Sequence, residues 1–442
     1  MSRVFIKTYG CQMNERDSEA VAYKLIEQGH EITDQEENAD VVLLNTCSVR
    51  EKAEQKALGK ASWVLNRALK KKSKPIVGIL GCMAQNRGES LLKELPGLGL
   101  VVGTQKFHRL PELLDRAMKG HSIVELEDEA GSQNEIRHHI KKGTNPTAFV
   151  SIMQGCNMNC SFCIVPKTRG KERYRPMEEI LQEVEGLSKT GVKEVTLLGQ
   201  IVNAYGRGEF KRINGMSPFV QLLEEIHQMS GIKRIRFTSP HPIAYGKDLI
   251  EAFGRLPKLG KYAHMPMQSG SNRILKAMNR PYSIEKFLSI VQSLRTQVSG
   301  MRISTDVIVG FPGETDEDFN QTKDAFKQAG FEMGFIFKYS DRSGTPSVEM
   351  EGKVENDDLE SRNQELLKIL EKQSLSSNQE VLGQKVEVLI EGEARKGGGQ
   401  LMGRTPCFRK VNFMGDSSLI GEMRMVRITQ IGSSSLTGDL IL

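Results

Sequence analysis

At 442 residues, 38% hydrophobic and 26% charged, the chain is too long for one compact core and too ordinary in composition to be disordered or fibrous. About 150 residues per domain predicts roughly three units. A net charge of +6 excludes a whole-surface attraction to polyanions, so any nucleic acid must be met by local basic patches. The longest apolar runs, such as 41–44 and 76–80, have strand length and fall far below the ~18 residues of a membrane span. The first residues lack the apolar core of a secretory signal, so no membrane partner is expected. Seven cysteines in such a chain predict metal ligation in a reducing cytoplasm rather than disulfides.

The first 120 residues carry a near-repeat. Apolar runs at 4–10, 40–46 and 75–81 end at Cys11, Cys47 and Cys82, spaced by 36 and 35 residues, the size of a βαβ unit. Helical stretches at 14–28 and 49–69 lie between them, and a fourth strand at 98–102 ends at Gly103. Near-continuous apolar strands alternating with helices predict a parallel sheet, in which ligands bind beyond the carboxyl ends of the strands. Three thiols there would converge on one face. A bare coincidence of three buried cysteines is the competing reading. Residues 121–141 read as a linker.

In the second unit, 142–378, the run Gly155-Cys-Asn-Met-Asn-Cys-Ser-Phe-Cys163 places Cys156, Cys160 and Cys163 in one tight loop. Three thiolates on a [4Fe–4S] cluster leave one iron open to a small molecule. A zinc site would want a fourth Cys or His nearby, and none follows for more than sixty residues. Phe162 is placed to shield the loop or touch the bound molecule. Strands at 148–153, 194–198, 234–238, 262–267, 302–309 and 334–339 alternate with helices such as 177–189, 219–229 and 284–297, which predicts a partial (β/α)6 barrel. Gly199, Gln200, Gln268, Ser269, Gly310 and Glu314 lie at the carboxyl ends of these strands and are candidate contacts for the small molecule. Glu194, at a strand start, reads as structural, as do His241 and His264.

Basic residues follow the loop at once: Lys167, Arg169, Lys171 and Arg173, with Arg175, against the single acid Glu172. A second concentration has Lys52, Lys56 and Lys60 on one helix face, leading to Arg67, Lys70, Lys71, Lys72 and Lys74. Two such runs beside two cysteine loops favour phosphate contact over plain solvated faces. A polar helix at 357–381 precedes short alternating strands at 385–390, 400–404, 409–413, 423–428 and 435–441, with a glycine turn at 397–399. They predict a small antiparallel barrel of the OB type over 379–442. Arg404, Phe408, Arg409 and Lys410 combine charge and aromaticity in the way RNA-binding surfaces do. Cys407 has no cysteine partner and reads as structural.

The order of these units resembles the methylthiotransferase family: a three-cysteine N-terminal domain, a radical S-adenosylmethionine (SAM) core and a TRAM barrel. The match extends over essentially the whole chain. Thr8-Tyr-Gly-Cys-Gln-Met-Asn-Glu15, Asn45-Thr-Cys-Ser-Val-Arg50, Gly199-Gln-Ile-Val-Asn-Ala-Tyr-Gly206, Gln268-Ser-Gly-Ser271 and Gly310-Phe-Pro-Gly-Glu-Thr-Asp316 are similar to the members that act on tRNA. Ile201, Met265 and Met267 depart from the pattern without touching a cysteine. The resemblance implies two [4Fe–4S] clusters, SAM as methyl donor and radical source, and a tRNA carrying dimethylallyl-adenosine beside the anticodon. It also implies a low-potential electron donor such as flavodoxin or ferredoxin, and a monomeric, cytoplasmic enzyme. Relatives that modify a ribosomal-protein aspartate or threonylcarbamoyl-adenosine share the cysteines and stay open as alternatives. So does a zinc-stabilised RNA-binding protein without catalysis.

Overall fold

The computed structural model describes residues 1–48, 51–68, 74–135, 137–140, 145–394 and 398–441. Val49, Leu69, Lys70, Lys71, Lys72 and Gly397, with the boundary expected at 141–142, lie outside the described residues.

The N-terminal elements are β1 (Arg3–Tyr9), α1 (Gln12–Glu27), β2 (Glu31–Ile32), β3 (Val41–Thr46), α2 (Glu51–Ala68), β4 (Ile76–Gly81), α3 (Cys82–Arg87), α4 (Ser90–Glu94), β5 (Leu100–Val102), α5 (Leu110–Met118) and β6 (Ile123–Glu125). All six strands pair in parallel in the order β2-β1-β3-β4-β5-β6. Strand β3 shows why. Every one of its residues is buried. Val41 and Leu43 join one apolar cluster with α1 and α5, while Val42 and Leu44 join another with α2, α3 and α4. A strand apolar on both faces needs helices on both sides, and each such side chain contributes roughly 1.5–3 kcal/mol by leaving water. Strands β2 and β6 escaped the sequence reading because two and three residues carry too little periodicity. Chain order reverses between β1 and β3, the position where ligands bind in such sheets.

The second unit holds β7 (Thr147–Ser151), β8 (Met153–Gln154), α6 (Val165–Arg169), β9 (Arg173–Tyr174), α7 (Met177–Lys189), β10 (Glu194–Leu198), α8 (Pro218–Gln228), β11 (Arg234–Phe237), α9 (Lys247–Arg255), β12 (Tyr262–His264), α10 (Asn272–Ala277), α11 (Ile284–Gln297), β13 (Arg302–Val309), α12 (Asp316–Ala329) and β14 (Met333–Lys338). Strands β7, β10 and β11 form one parallel sheet and β12, β13 and β14 another. An isolated parallel bridge from Ile235 to Leu259 joins them. The result is the expected open six-stranded barrel. Its first strand is shorter than the sequence suggests. The chain leaves the barrel after Ser151, and β8 then pairs antiparallel with β9. That pairing closes the stem of the cysteine loop.

Helix α13 (Asn356–Gln379) leads to β15 (Lys385–Glu393), β16 (Gln400–Arg404), β17 (Lys410–Met414), β18 (Met423–Ile431) and β19 (Leu436–Leu440). These five close into a barrel in the order β15-β16-β17-β19-β18, filled by Val388, Ile390, Leu401, Val411, Phe413, Val426, Ile428 and Leu436. Four seams are antiparallel as expected; β17 and β19 run parallel, because the last strand crosses the barrel to reach its place. Among the described residues, no helix is long and apolar enough to cross a membrane.

The small barrel stands on the starting ends of the large barrel's strands. Arg234 donates to the Arg404 carbonyl (2.9 Å) and Arg236 to the Thr405 carbonyl (2.7 Å). Both arginines pair with Glu194 (3.2 and 3.0 Å), which is the buried structural carboxylate its position predicts. The cysteine loop leaves from the opposite end.

Candidate functional site

The loop from Gly155 to Glu172 is held at both base and tip. At the base, the Cys156 amide donates to the Gly170 carbonyl (3.0 Å), and Asn157 and Glu172 exchange two hydrogen bonds (3.2 and 3.0 Å). Gly155 has φ +81°, and a Cβ there would collide with the Lys171 carbonyl, so only glycine suits the turn. At the tip, Ser161 docks on the end of α10 through its amide to the Met278 carbonyl (3.1 Å) and its hydroxyl to the Ala277 carbonyl (2.8 Å). Asn279 donates to the Asn159 carbonyl (2.7 Å). Arg280 extends Nη1 to the Cys160 sulfur (3.4 Å) with its ring-side face against Tyr282. Burial pushes the Cys156 thiol up to about 11 and that of Cys163 up to about 12. These thiols favour the protonated form until a metal centre replaces the proton.

The second trio stands where the parallel sheet directs it. Cys11 follows β1 as the N-cap of α1, Cys47 follows β3 and Cys82 opens α3 after β4. Because β3 lies between β1 and β4, the three come from adjacent strands, beside the chain-order reversal. Cys11 takes an N-cap place that Ser, Thr, Asp or Asn would fill better. Gly10 lets the chain pass: a Cβ there would lie 2.5 Å from the Cys47 Cβ. Hydrogen bonding with Cys47, helped by the Arg169 charge and the amides of Asn14 and Met13, draws the Cys11 thiol down to about 6 despite burial. Burial raises Cys82, with Arg169 opposing it. Asn14 and Asn45 brace the site, Asn14 donating to Asn45 Oδ1 (3.1 Å) and Asn45 returning a bond to the Asn14 carbonyl (2.9 Å).

One short helix joins the two trios. Helix α6 starts two residues after Cys163, packs on α3, and ends at Arg169, whose Nη2 donates to Asp17 Oδ2 (2.6 Å). Thr104 fixes the Thr168 carbonyl (2.6 Å) from the N-terminal side.

The expected small-molecule contacts divide. Gln200 accepts the Gly155 amide (2.6 Å) and Gly199 lies against Met153, so both sit at the loop base. Gln268, with φ +65°, bridges the Asp306 carbonyl and the Ile308 amide and keeps a half-buried side chain free of hydrogen bonds among the described residues. The other expected contacts have protein partners of their own. The Ser269 hydroxyl is fully buried against Thr322 (3.2 Å) on the outer side. Glu314 accepts from the Gly310 amide (2.7 Å) and from Arg362 (2.8 Å), so it holds its own turn together. Gly310 lies against Leu359. Phe162 packs edge-on to Phe311 (6.5 Å) in a small cluster with Ile274 and Met278. Arg280 was missed, and His241 is the buried wall residue its strand-end place suggests. His241 is buried with Nε2 unpartnered, faces the Tyr282 ring edge (5.8 Å), and burial holds its imidazole down near 3, hence neutral. No sequence motif flags Arg280, which sits in an irregular turn.

The RNA calls change more. Lys167 and Lys171 are exposed and Lys410 is half-buried. Arg169 is buried on Asp17, and Arg173 donates to Gln105 and to the Arg169 carbonyl (3.2 Å). On the barrel, Phe408 stacks on Tyr262 (4.7 Å) with Arg236 and Arg404 over its ring, and Arg404 pairs with Glu391. Arg409 is spent on Asn378 Oδ1 (3.1 Å) and the Ser377 carbonyl (2.9 Å). The basic-aromatic pattern of the barrel therefore mounts it on the core. Lys52 and Lys56 are exposed, while Lys60 pairs with Glu36 (2.7 Å).

Both trios offer three thiol donors with an arginine nearby, Arg280 at one and Arg169 at the other, the donor set of a cluster with an open iron. Among the described residues no group of three His, Cys, Asp or Glu side chains is arranged around a single metal ion.

Comparison with known proteins agrees with this architecture. Residues 150–326 match the Radical SAM superfamily, 3–103 match Uncharacterized protein family UPF0004, and 379–441 match the TRAM domain. The tRNA-2-methylthio-N(6)-dimethylallyladenosine synthase of Opitutus terrae is 52% identical, over 100% of this chain and 98% of the relative. That of Akkermansia muciniphila is 47% identical over 99% and 98%, and that of Methylacidiphilum infernorum 47% over 100% and 95%. Among solved structures, the radical SAM methyltransferase TsrM from Kitasatospora setae, with cobalamin and a [4Fe-4S] cluster bound, shares the fold at TM-score 0.58 and 14% identity, covering 76% of this chain and 72% of that one. Identity of that order speaks for the fold alone. With the thiol trios, the bridge between them and full-length relatives at this level, the chain belongs to the radical SAM methylthiotransferases, in the family of the tRNA-2-methylthio-N(6)-dimethylallyladenosine synthases.

Proposed function

We propose that this protein is a tRNA methylthiotransferase that replaces the hydrogen on carbon 2 of dimethylallyl-adenosine, beside the anticodon, with a methylthio group. The observation that carries the reading is the pair of thiol trios joined by α6. Cys156, Cys160 and Cys163 would hold the radical SAM cluster, and Cys11, Cys47 and Cys82 a second [4Fe–4S] cluster. When bound, these groups and SAM supply the radical that opens an unreactive C–H bond and the methylated sulfur that fills it.

The chain's own part is to bind, orient and exclude. Gln200 fixes the loop base through the Gly155 amide, and Gly199 and Gln268 line the strand ends where SAM would lie. Arg280 places a cation beside Cys160. Neutral His241 adds a polar wall without a competing charge. The two sites share α6. Lys167 and Lys171, exposed beside that helix, would meet RNA phosphates. A flavodoxin- or ferredoxin-like donor, a monomeric state, a cytoplasmic setting and domain limits at 1–120, 142–378 and 379–442 complete the proposal.

The test is anaerobic turnover of reconstituted protein with SAM, a strong reductant and tRNA bearing dimethylallyl-adenosine, followed by mass spectrometry of the nucleosides. A methylthio product on that tRNA alone is expected. Deoxyadenosine release without that product would move the substrate to a ribosomal-protein aspartate or threonylcarbamoyl-adenosine. Alanine at Cys156, Cys160 or Cys163 should abolish SAM cleavage. Alanine at Cys11, Cys47 or Cys82 should spare it and abolish sulfur insertion.

A further inference from the structure

Arg169 belongs by sequence to the radical SAM loop and by position to the other site. It is 3% exposed, and α6, which it ends, packs on α3, whose first residue is Cys82. Its Nη2 is fixed by Asp17 Oδ2 (2.6 Å), while Nη1 is buried with no hydrogen-bond acceptor. Helix α6 holds the guanidinium against the N-terminal site, where its charge acts on Cys82 and Cys11. Asp17 is itself fully buried, between Arg169 and Arg16, with Oδ1 unpartnered. A buried ion pair gains little over apolar residues of the same size, because desolvation offsets the attraction. Packing alone therefore gives no reason for Arg and Asp here. A third charge facing Nη1 does.

We propose that Arg169 is a positioning residue of the N-terminal thiol site, which offers its free Nη1–H to the cysteine sulfurs and, balanced by Asp17, sets how readily a cluster held there accepts an electron. The inference rests on the reading of Cys11, Cys47 and Cys82 as cluster ligands. It assigns opposite signs to two neighbouring residues. Reduction adds negative charge, which a facing cation eases and a facing anion opposes. Loss of the cation at 169 therefore makes reduction harder, and loss of the anion at 17 makes it easier.

The full-length protein carrying Cys156→Ala, Cys160→Ala and Cys163→Ala, reconstituted with iron and sulfide, isolates the N-terminal site. Iron per chain and the midpoint potential are read in that background. Arg169→Met is expected to lower the reduction equilibrium constant about tenfold, about 59 mV for a one-electron couple. Asp17→Asn should raise it, and Arg169→Lys should recover most of the loss. If Arg169→Met does not load iron, Asp17→Asn decides alone: an upward shift supports the role, and no shift or a downward one overturns it. Four irons bound but potentials moving the same way in both variants would also overturn it, as mere packing damage. A background protein that binds no iron would instead sink the cluster reading and the inference together.

Discussion

Gly155 and Gly59 respond oppositely to the same methyl group. At Gly155 the backbone is left-handed and a Cβ meets the Lys171 carbonyl; at Gly59, inside α2, nothing lies within 4 Å. Gly155→Ala is expected to strain the loop by about 1–3 kcal/mol and to cut iron from about eight per chain to about four, read by a colorimetric iron assay. Gly59→Ala should stabilise by about 0.5–1 kcal/mol, seen as a higher urea midpoint. His139 carries a pH prediction. Burial alone would lower its pKa, but hydrogen bonds to Glu183 (2.7 Å) and Glu19 (3.1 Å) outweigh this and raise it. A raised folded value means its contribution is complete below about 6.5 and is lost as pH climbs through the folded value. Urea midpoints from pH 6 to 9 should fall more steeply for the native protein than for His139→Gln. The six clustered cysteines were legible in the sequence because their spacing is itself the chemistry. Arg280 was not, because a turn residue becomes part of a site only through the fold that brings it there.

At the level of single elements, α12 shows how far local rules reach. Thr315 accepts the Asp318 amide (3.3 Å) and Asp318 accepts the Thr315 amide (2.9 Å), a complete capping box, and Asp318 also takes bonds from Ser271 and Arg273. Thr315→Ala should cost about 1 kcal/mol. Removing Arg362, which is 8% exposed and neutralises Glu314, should cost more, about 3–5 kcal/mol for a stranded buried carboxylate. Denaturant unfolding of Arg362→Met checks this, and SAM affinity measured in the folded state should hold, since Glu314 serves the turn. Long apolar strands such as β3 and β13 are written plainly in the sequence. The division of 148–153 into β7 and β8 is not, because Met153 and Gln154 remain extended and only their partner changes, from a parallel neighbour to Arg173–Tyr174.

Across the whole molecule, the seat of the small barrel decides which basic residues remain for RNA. Arg404, Phe408 and Arg409 have the composition of a nucleic-acid surface, but composition carries no direction: the joint with Arg234, Arg236 and Tyr262 uses Arg404 and Phe408, and α13 uses Arg409. Lys171→Ala should weaken tRNA binding and reduce the slope of log affinity against log salt by about one. Phe408→Ala should leave that slope unchanged and instead speed amide exchange along the Thr405–Tyr262 seam. The shared helix α6 carries a consequence for biosynthesis. The three N-terminal cysteines are complete in the nascent chain by Cys82, yet the arginine that closes their site is made 87 residues later. At about 5–20 residues per second that is a delay of roughly 4–17 s. For that interval, in which β5 and β6 are still being made, the three thiols lack their arginine, so insertion of the N-terminal cluster belongs after synthesis has passed α6, and the order of metal loading is written into the order of translation.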